Sequence, residues 1–175
     1  MLHEHVRGDL FETPLGRMIA LMNEQGGLLR LDFLPSDQPE PELWMGWQWR
    51  RDEAALAQVV RQLNEYFAGK RRVFEVALAA QGNAFLQEAW RHLREVPYGT
   101  TLSYGALASR LERKTSARAI GRANAVNPIA IIVPCHRIIG ADGSLTGYAG
   151  GMERKQALLG LEGVLMPTRQ QLLLL

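Results

Sequence analysis

The hydrophobic pattern changes period near residue 80, and no other feature of the chain constrains the fold as strongly. Before that point apolar residues come in β-type runs separated by turn signals. Thr13-Pro14-Leu15-Gly16 reads as a turn, Met18 to Met22 and Leu28 to Phe33 as strands, and Asn23 to Gly27 as their connection. Pro35 to Pro41, with three prolines and several acids, reads as an exposed link. Trp44, Trp47 and Trp49 follow, and the pattern assigns them packing or loop anchoring only. Ala54 to Phe67 carries Leu56, Val59, Val60, Leu63 and Phe67 at helical spacing and is ended by Gly69. Val73 to Leu78 reads as a short strand. Residues 1–80 are thus expected to form an N-terminal α/β support domain, a small sheet plus a helix.

After residue 80 the pattern becomes helical and the helices short. Asn83 is placed to cap a helix running through Phe85, Leu86, Ala89, Trp90 and Leu93, closed by Pro97-Tyr98-Gly99. Ser103 can cap a second from Tyr104 to Leu111, and Thr115 or Ser116 a third reaching about Ala125. Two short helices across a polar turn have the outline of a helix-turn-helix. The whole chain is therefore expected to be α+β, with residues 81–175 forming a mostly helical C-terminal domain. In the third helix Ala117, Ala119, Gly121, Ala123 and Ala125 are small, so its surface can approach another body closely. Arg118 and Arg122 lie four apart, on one face.

Charge is segregated in the same way. Residues 1–80 hold nine Lys and Arg against twelve Asp and Glu, a net of −3, while residues 81–175 hold eleven against six, a net of +5. A basic half suits contact with a polyanion. No apolar run approaches the roughly 20 residues that span a bilayer. The first residues carry acids and no apolar core, so no signal peptide is expected and a cytoplasmic location is the default. The chain contains one cysteine, which rules out an intrachain disulfide and a CxxC zinc site.

That cysteine, Cys135, follows the most informative stretch, Asn127-Pro-Ile-Ala-Ile-Ile-Val-Pro-Cys-His-Arg-Ile-Ile-Gly140. Ile129 to Val133 is expected to be a buried strand whose end presents Cys135 and His136 to a pocket. The thiolate is the nucleophile, and a free thiol near pKa 8.5 is mostly protonated at neutral pH, so a base or positive field is required. His136 is adjacent in sequence, directly or through a water, and Glu162 is the carboxylate that would orient it. Gly140 to Gly151 holds five glycines in twelve residues, which lets the backbone approach a flat ligand. It is not a phosphate loop, because no GxxxxGK[ST] pattern is present.

Residues 83–163 resemble the C-terminal domain of O6-alkylguanine-DNA alkyltransferases, in the bacterial form without a regulatory domain. The likeness rests on Pro134-Cys-His-Arg137, Asn127-Pro128, Thr146-Gly-Tyr-Ala-Gly-Gly151, Arg154-Lys155, Leu161-Glu-Gly163, Ser103-Tyr104-Gly-Ala-Leu-Ala108 and Ala117-Arg-Ala-Ile-Gly121, in order and spacing. Thr13-Pro-Leu-Gly16 and Tyr66-Phe-Ala-Gly69 extend it into the first half. The resemblance implies DNA repair by irreversible, stoichiometric transfer of an alkyl group from O6-alkylguanine, and from O4-alkylthymine, to Cys135. It implies extrusion of the damaged base through the minor groove. His136 would act through a water as base, Glu162 would orient it, Asn127 would support the active-site turn, and Tyr104 would donate a proton to guanine N3. Tyr148 with Leu145, Gly147, Ala149 and Gly150 would wall the guanine pocket, and the Ile138 carbonyl would accept the exocyclic amine. Arg118 would replace the extruded base, and Ala117, Ala119, Gly121, Arg122 and Ser103 would meet the DNA.

The resemblance further implies no metal and no organic cofactor, a monomer in the absence of DNA, and leaves open cooperative assembly on DNA. Ala149 stands where some relatives have Ser, and Arg122 where some have Gly. The Leu172 to Leu175 tail lies outside every motif. Three rivals separate on simple grounds. A non-catalytic lesion sensor would lack the acceptor cysteine, a Cys–His hydrolase would turn over, and a plain helix-turn-helix regulator would have an inert thiol.

Overall fold

The computed structural model describes residues 5–164, so the Leu172–Leu175 run falls outside the described residues. Strands β1 (Arg7–Thr13) and β2 (Gly16–Met22) form the expected hairpin. Thr13 Oγ1 donates to the Gly16 carbonyl at 2.6 Å and accepts from the Leu15 N–H, and Gly16 adopts φ +122°, a region that favours glycine. Strand β3 (Leu28–Phe33) pairs antiparallel with β2, after a turn in which Asn23 Oδ1 accepts from the Gly27 N–H. Two short strands, β4 (Leu43–Trp44) and β5 (Trp47–Gln48), form a separate ribbon, and β6 (Arg50–Arg51) pairs parallel to β1. The sheet order is β3-β2-β1-β6.

Strand β2 is buried on both faces, which explains the tryptophans. Successive side chains point to opposite sides. Met18, Ala20 and Met22 enter the main core under helix α1 (Glu53–Phe67), while Ile19 and Leu21 enter a second cluster covered by Trp44, Trp47 and Trp49. Two indoles are also anchored by their polar end, Trp44 Nε1 donating to Asp32 at 2.8 Å and Trp49 Nε1 to the Pro41 carbonyl at 3.0 Å. Asp52 caps α1 by accepting the Ala55 N–H, one residue earlier than the sequence pattern suggested. Its buried stripe is Leu56, Val59, Gln62, Leu63 and Tyr66, so the helix is rotated to bury Tyr66 more deeply than Phe67.

Val73 to Leu78 is not the expected strand. The Glu75 backbone is held instead by Gln62, whose Oε1 accepts the Glu75 N–H at 2.8 Å and whose Nε2 donates to the Glu75 carbonyl. Only Leu78 reaches β3, through an isolated bridge to Leu28.

In the second half Asn83 caps α2 (Ala84–Arg94), Ser103 caps α3 (Tyr104–Ala108), and Ser116 caps α4 (Ala117–Ala125), each by accepting the N–H three residues on. Helix α3 stops short of Leu111, because the Ser109 hydroxyl bonds back to the Gly105 carbonyl and Arg110 and Leu111 tighten into i→i−3 turns. Strands β7 (Leu102–Ser103) and β8 (Ile138–Ile139) pair in parallel, and α5 (Met152–Leu161) closes the described chain.

Ile129 to Val133 is buried as expected, with Ala130 half-buried, but it is not a strand. The segment is a string of tight turns: Ile132 N–H reaches Ala130 O, Cys135 N–H reaches Val133 O, and Ile131 adopts φ +69°. A β-branched residue there stores strain of about 1–3 kcal/mol. Two observations account for its persistence. The free edge of β3 grips the segment, Leu31 N–H donating to Pro128 O and Ala130 N–H to Leu31 O, both at 2.9 Å. Each of Ile129, Ile131, Ile132 and Val133 also buries a side chain worth about 1.5–3 kcal/mol. One buried cluster runs from Met18 and Tyr66 through Trp90 and Ile120 to Cys135 and Leu158, so both halves share a core.

Candidate active site

Cys135 opens a single turn of 3₁₀ helix, Cys135–Arg137, directly after the strained segment. It is 6% exposed. Asn127 holds it from the preceding loop. The Asn127 side-chain amide donates to Cys135 Sγ at 3.2 Å and to the Val133 carbonyl at 2.8 Å, and its oxygen accepts the Ile129 N–H at 3.0 Å. Burial pushes the thiol pKa up. The Asn127 hydrogen bond and the charge of Lys155 oppose that shift without cancelling it.

His136 and Glu162 meet as expected, Nε2 to Oε2 at 2.7 Å, both fully covered. Around the same carboxylate stand three further donors. Arg137 lays its guanidinium fork across it at 2.8 and 3.1 Å while Nη1 donates to the Val96 carbonyl. The Gly99 N–H reaches Oε1 at 3.2 Å, and the Tyr66 hydroxyl donates to Oε2 at 2.6 Å. Burial works to raise the Glu162 pKa, but the bonds from His136 and Arg137 outweigh it and hold the carboxyl well below the usual range. Tyr66 is pushed far above its ordinary value, by burial and by Glu162, and stays protonated.

These directions settle the imidazole's tautomer. A carboxylate can only accept, so His136 Nε2 carries the proton and Nδ1 the lone pair. Burial lowers the His136 pKa despite Glu162, so the ring is neutral at pH 7. Nδ1 is buried and has no hydrogen-bond partner among the described residues. The structure gives no direct His136–Cys135 hydrogen bond; the thiol's side-chain partner is Asn127.

A cleft of about 740 Å³ opens beside Cys135, lined by Tyr104, Ala117, Arg118, Gly121, Arg122, Asn124, Ala125, Thr146, Gly147, Tyr148 and Ala149. A second cavity of about 440 Å³ reaches the same cysteine from the side of β3 and the tryptophan ribbon, and includes Gly150. The face of α4 carrying Arg118 and Gly121 therefore fronts the cleft, and both arginines are exposed. The Tyr104 hydroxyl accepts from Thr146 Oγ1 at 2.9 Å across the cleft. Tyr148 is partly buried, its covered hydroxyl has no partner among the described residues, and burial raises its pKa.

Four expected residues stand elsewhere. Ala119 and Leu145 lie off both linings, and Ser103 serves as the α3 cap. The Ile138 carbonyl, expected to face a ligand, accepts from Lys155 Nζ at 2.6 Å. Lys155 also donates to Thr146 O at 2.7 Å, so it ties β8 to the glycine-rich loop, and burial lowers its pKa to about 8. Sequence reasoning quoted Tyr66 and Lys155 within motifs but gave neither a role. A tyrosine on an apolar helical stripe is indistinguishable from core until its hydroxyl partner is seen.

Both halves of the chain match one known family. The ribonuclease-like domain of 6-O-methylguanine DNA methyltransferase matches residues 6–80, and the DNA binding domain of the same family matches residues 84–164. A methylated-DNA–protein-cysteine methyltransferase of Methanosarcina acetivorans is 42% identical over 154 residues, covering 88% of this chain and 96% of its own. One from Mycobacterium leprae is 50% identical over 151 residues, covering 86% and 88%. The crystal structure of Mycobacterium tuberculosis OGT in complex with DNA has a TM-score of 0.80 at 42% identity, covering 90% of this chain and 93% of that one. With both halves matched in order, the chain belongs to the 6-O-methylguanine DNA methyltransferase family.

Proposed function

We propose that the protein repairs DNA by moving the alkyl group of O6-methylguanine onto Cys135. The single observation that carries this reading is the cysteine at the base of an open cleft, backed by the His136–Glu162 pair. Cys135 Sγ, deprotonated by His136 Nδ1 through a water, attacks the alkyl carbon. The S–C bond forms, the C–O6 bond breaks, and its electron pair passes into the guanine ring. Tyr104 protonates N3 of the leaving base, and the proton lost by the thiol restores Tyr104, so the net products are S-alkylcysteine and guanine. Burial raises the thiol pKa, so the thiol is mostly protonated at rest and His136 takes its proton as the transfer proceeds. A thioether does not hydrolyse under mild conditions, so each molecule acts once.

A guanine inside a duplex cannot present its O6 substituent in line with a thiolate, so the base is extruded. Helix α4 with its small residues enters the minor groove, Arg118 fills the gap, and Arg122 meets the backbone. The α3–α4 pair serves as the helix-turn-helix. Residues 81–175 carry the chemistry and DNA contact, and residues 1–80 support them. The same pocket accepts O4-alkylthymine, the free protein is a monomer, and the site of action is the DNA-containing cytoplasm. Tyr148, Gly147, Ala149 and Gly150 wall the base.

Incubation with duplex DNA carrying O6-methylguanine should add the mass of one methyl group to the Cys135 peptide, with product equal to protein and no turnover. Cys135→Ser should bind the same DNA and transfer nothing. Continued turnover, or an unmodified Cys135, would overturn the reading.

A further inference from the structure

Asn124 lies on α4, three residues past Gly121, and lines the cleft with it. It lines both cavities that meet at Cys135. The residue is 8% exposed and both side-chain amide atoms are covered, yet neither the amide nitrogen nor the amide oxygen has a hydrogen-bond partner among the described residues. Leaving a carboxamide in that state costs free energy that a leucine of similar size would avoid. Asn127, three residues on in the loop after α4, shows the contrast, since all its side-chain polar groups are engaged in holding the loop and the thiol. A buried amide that supports nothing in the free protein is explained by a partner that arrives with the substrate.

We propose that Asn124 is a base-binding residue whose amide donates to a ring nitrogen beside O6 of the alkylated guanine. This rests on the reading that the guanine enters the cleft beside Cys135. Alkylation at O6 removes the N1 proton, so the lesion offers acceptors on both flanks of O6, at N1 and N7. An amide N–H is the complementary group. As the C–O6 bond breaks, the departing ring gains negative charge and the same hydrogen bond strengthens, so the contact assists the departure as well as the docking. The amide is covered from solvent in the free protein, so the bond forms where water does not compete.

The test is Asn124→Leu, which keeps the volume and removes both polar atoms. Three measurements read it: the single-turnover rate from O6-methylguanine duplex, alkylation of Cys135 by iodoacetamide, and Tm. The expected result is transfer slowed about tenfold, the loss of one substrate hydrogen bond. Iodoacetamide reactivity should be unchanged, because that reagent has no purine to bind, and Tm should be equal or higher. Unchanged transfer would overturn the proposal. So would a fall in Tm together with altered iodoacetamide reactivity, which would make Asn124 a structural support. Wild-type protein that fails to transfer from the same duplex would instead refute the underlying reading of the cleft.

Discussion

Glu162 gathers hydrogen bonds from Tyr66, Gly99, His136 and Arg137, and the source of each determines what its removal does. Tyr66 comes from the first half of the chain and shares Oε2 with His136. Tyr66→Phe keeps the ring packing and deletes the donor. The freed charge on Oε2 then falls on His136 and raises its pKa, so the acid limb of the transfer rate should move to higher pH. Stability should drop by about 1–3 kcal/mol, read by urea unfolding. An unmoved acid limb would confine Tyr66 to packing. The charge of Lys155 favours the thiolate and also disfavours the charged imidazole. With a pKa of about 8, it is charged at neutral pH and helps the buried thiol ionise. Lys155→Met should therefore slow Cys135 alkylation by iodoacetamide at pH 7, with the deficit shrinking above pH 8, where the native lysine also loses its proton.

At the scale of the element, α4 presents two kinds of residue to the cleft. At Gly121 a Cβ would lie 3.9 Å from the Tyr104 ring, an ordinary contact, so a small side chain would fit there. Arg118 is exposed and has no ion pair among the described residues, which suits insertion into a duplex. Arg118→Ala should slow repair of duplex DNA by a larger factor than reaction with the free alkylated base. Equal loss on both substrates would refute a role in extrusion. The Ile129–Val133 segment shows an element whose burial was legible and whose conformation was not. Its β-branched composition argues for a strand, but the gripping edge of β3 and the left-handed Ile131 impose turns. The payoff is geometric, since the turns aim Cys135 at the cleft.

The whole molecule is one cooperative structure by its packing. The main cluster crosses from α1 and β2 to α4 and α5, and Tyr66–Glu162 bridges residues 96 apart in sequence. Thermal unfolding should therefore show one transition by circular dichroism and by tryptophan fluorescence; two separated midpoints would show independent halves. Acid should unfold the protein through the same cluster. Glu162 has a depressed folded pKa, so its contribution is fully present above the unfolded value near 4.3 and is lost as pH falls below it. Glu162→Gln should flatten that part of the stability curve at the cost of lower stability at pH 7.

What the amino-acid order determined by itself was local or chemical. The hairpin at Thr13–Gly16, the caps at Asn83 and Ser103, a cap at Thr115 or Ser116, and the reactive unit at Cys135 and His136 all follow from residue types at short spacing, where turn chemistry and capping act within a few residues. Glu162 was legible as the candidate carboxylate for His136, and the family resemblance gave it the same role. Tertiary structure decided the rest, because the causes lie far apart in the chain. Tyr66 becomes part of the carboxylate cluster only when α1 docks beside Cys135–Arg137. Lys155 loses its ordinary pKa only inside the fold. The segment before Cys135 gives up its strand because β3 has a free edge to offer it.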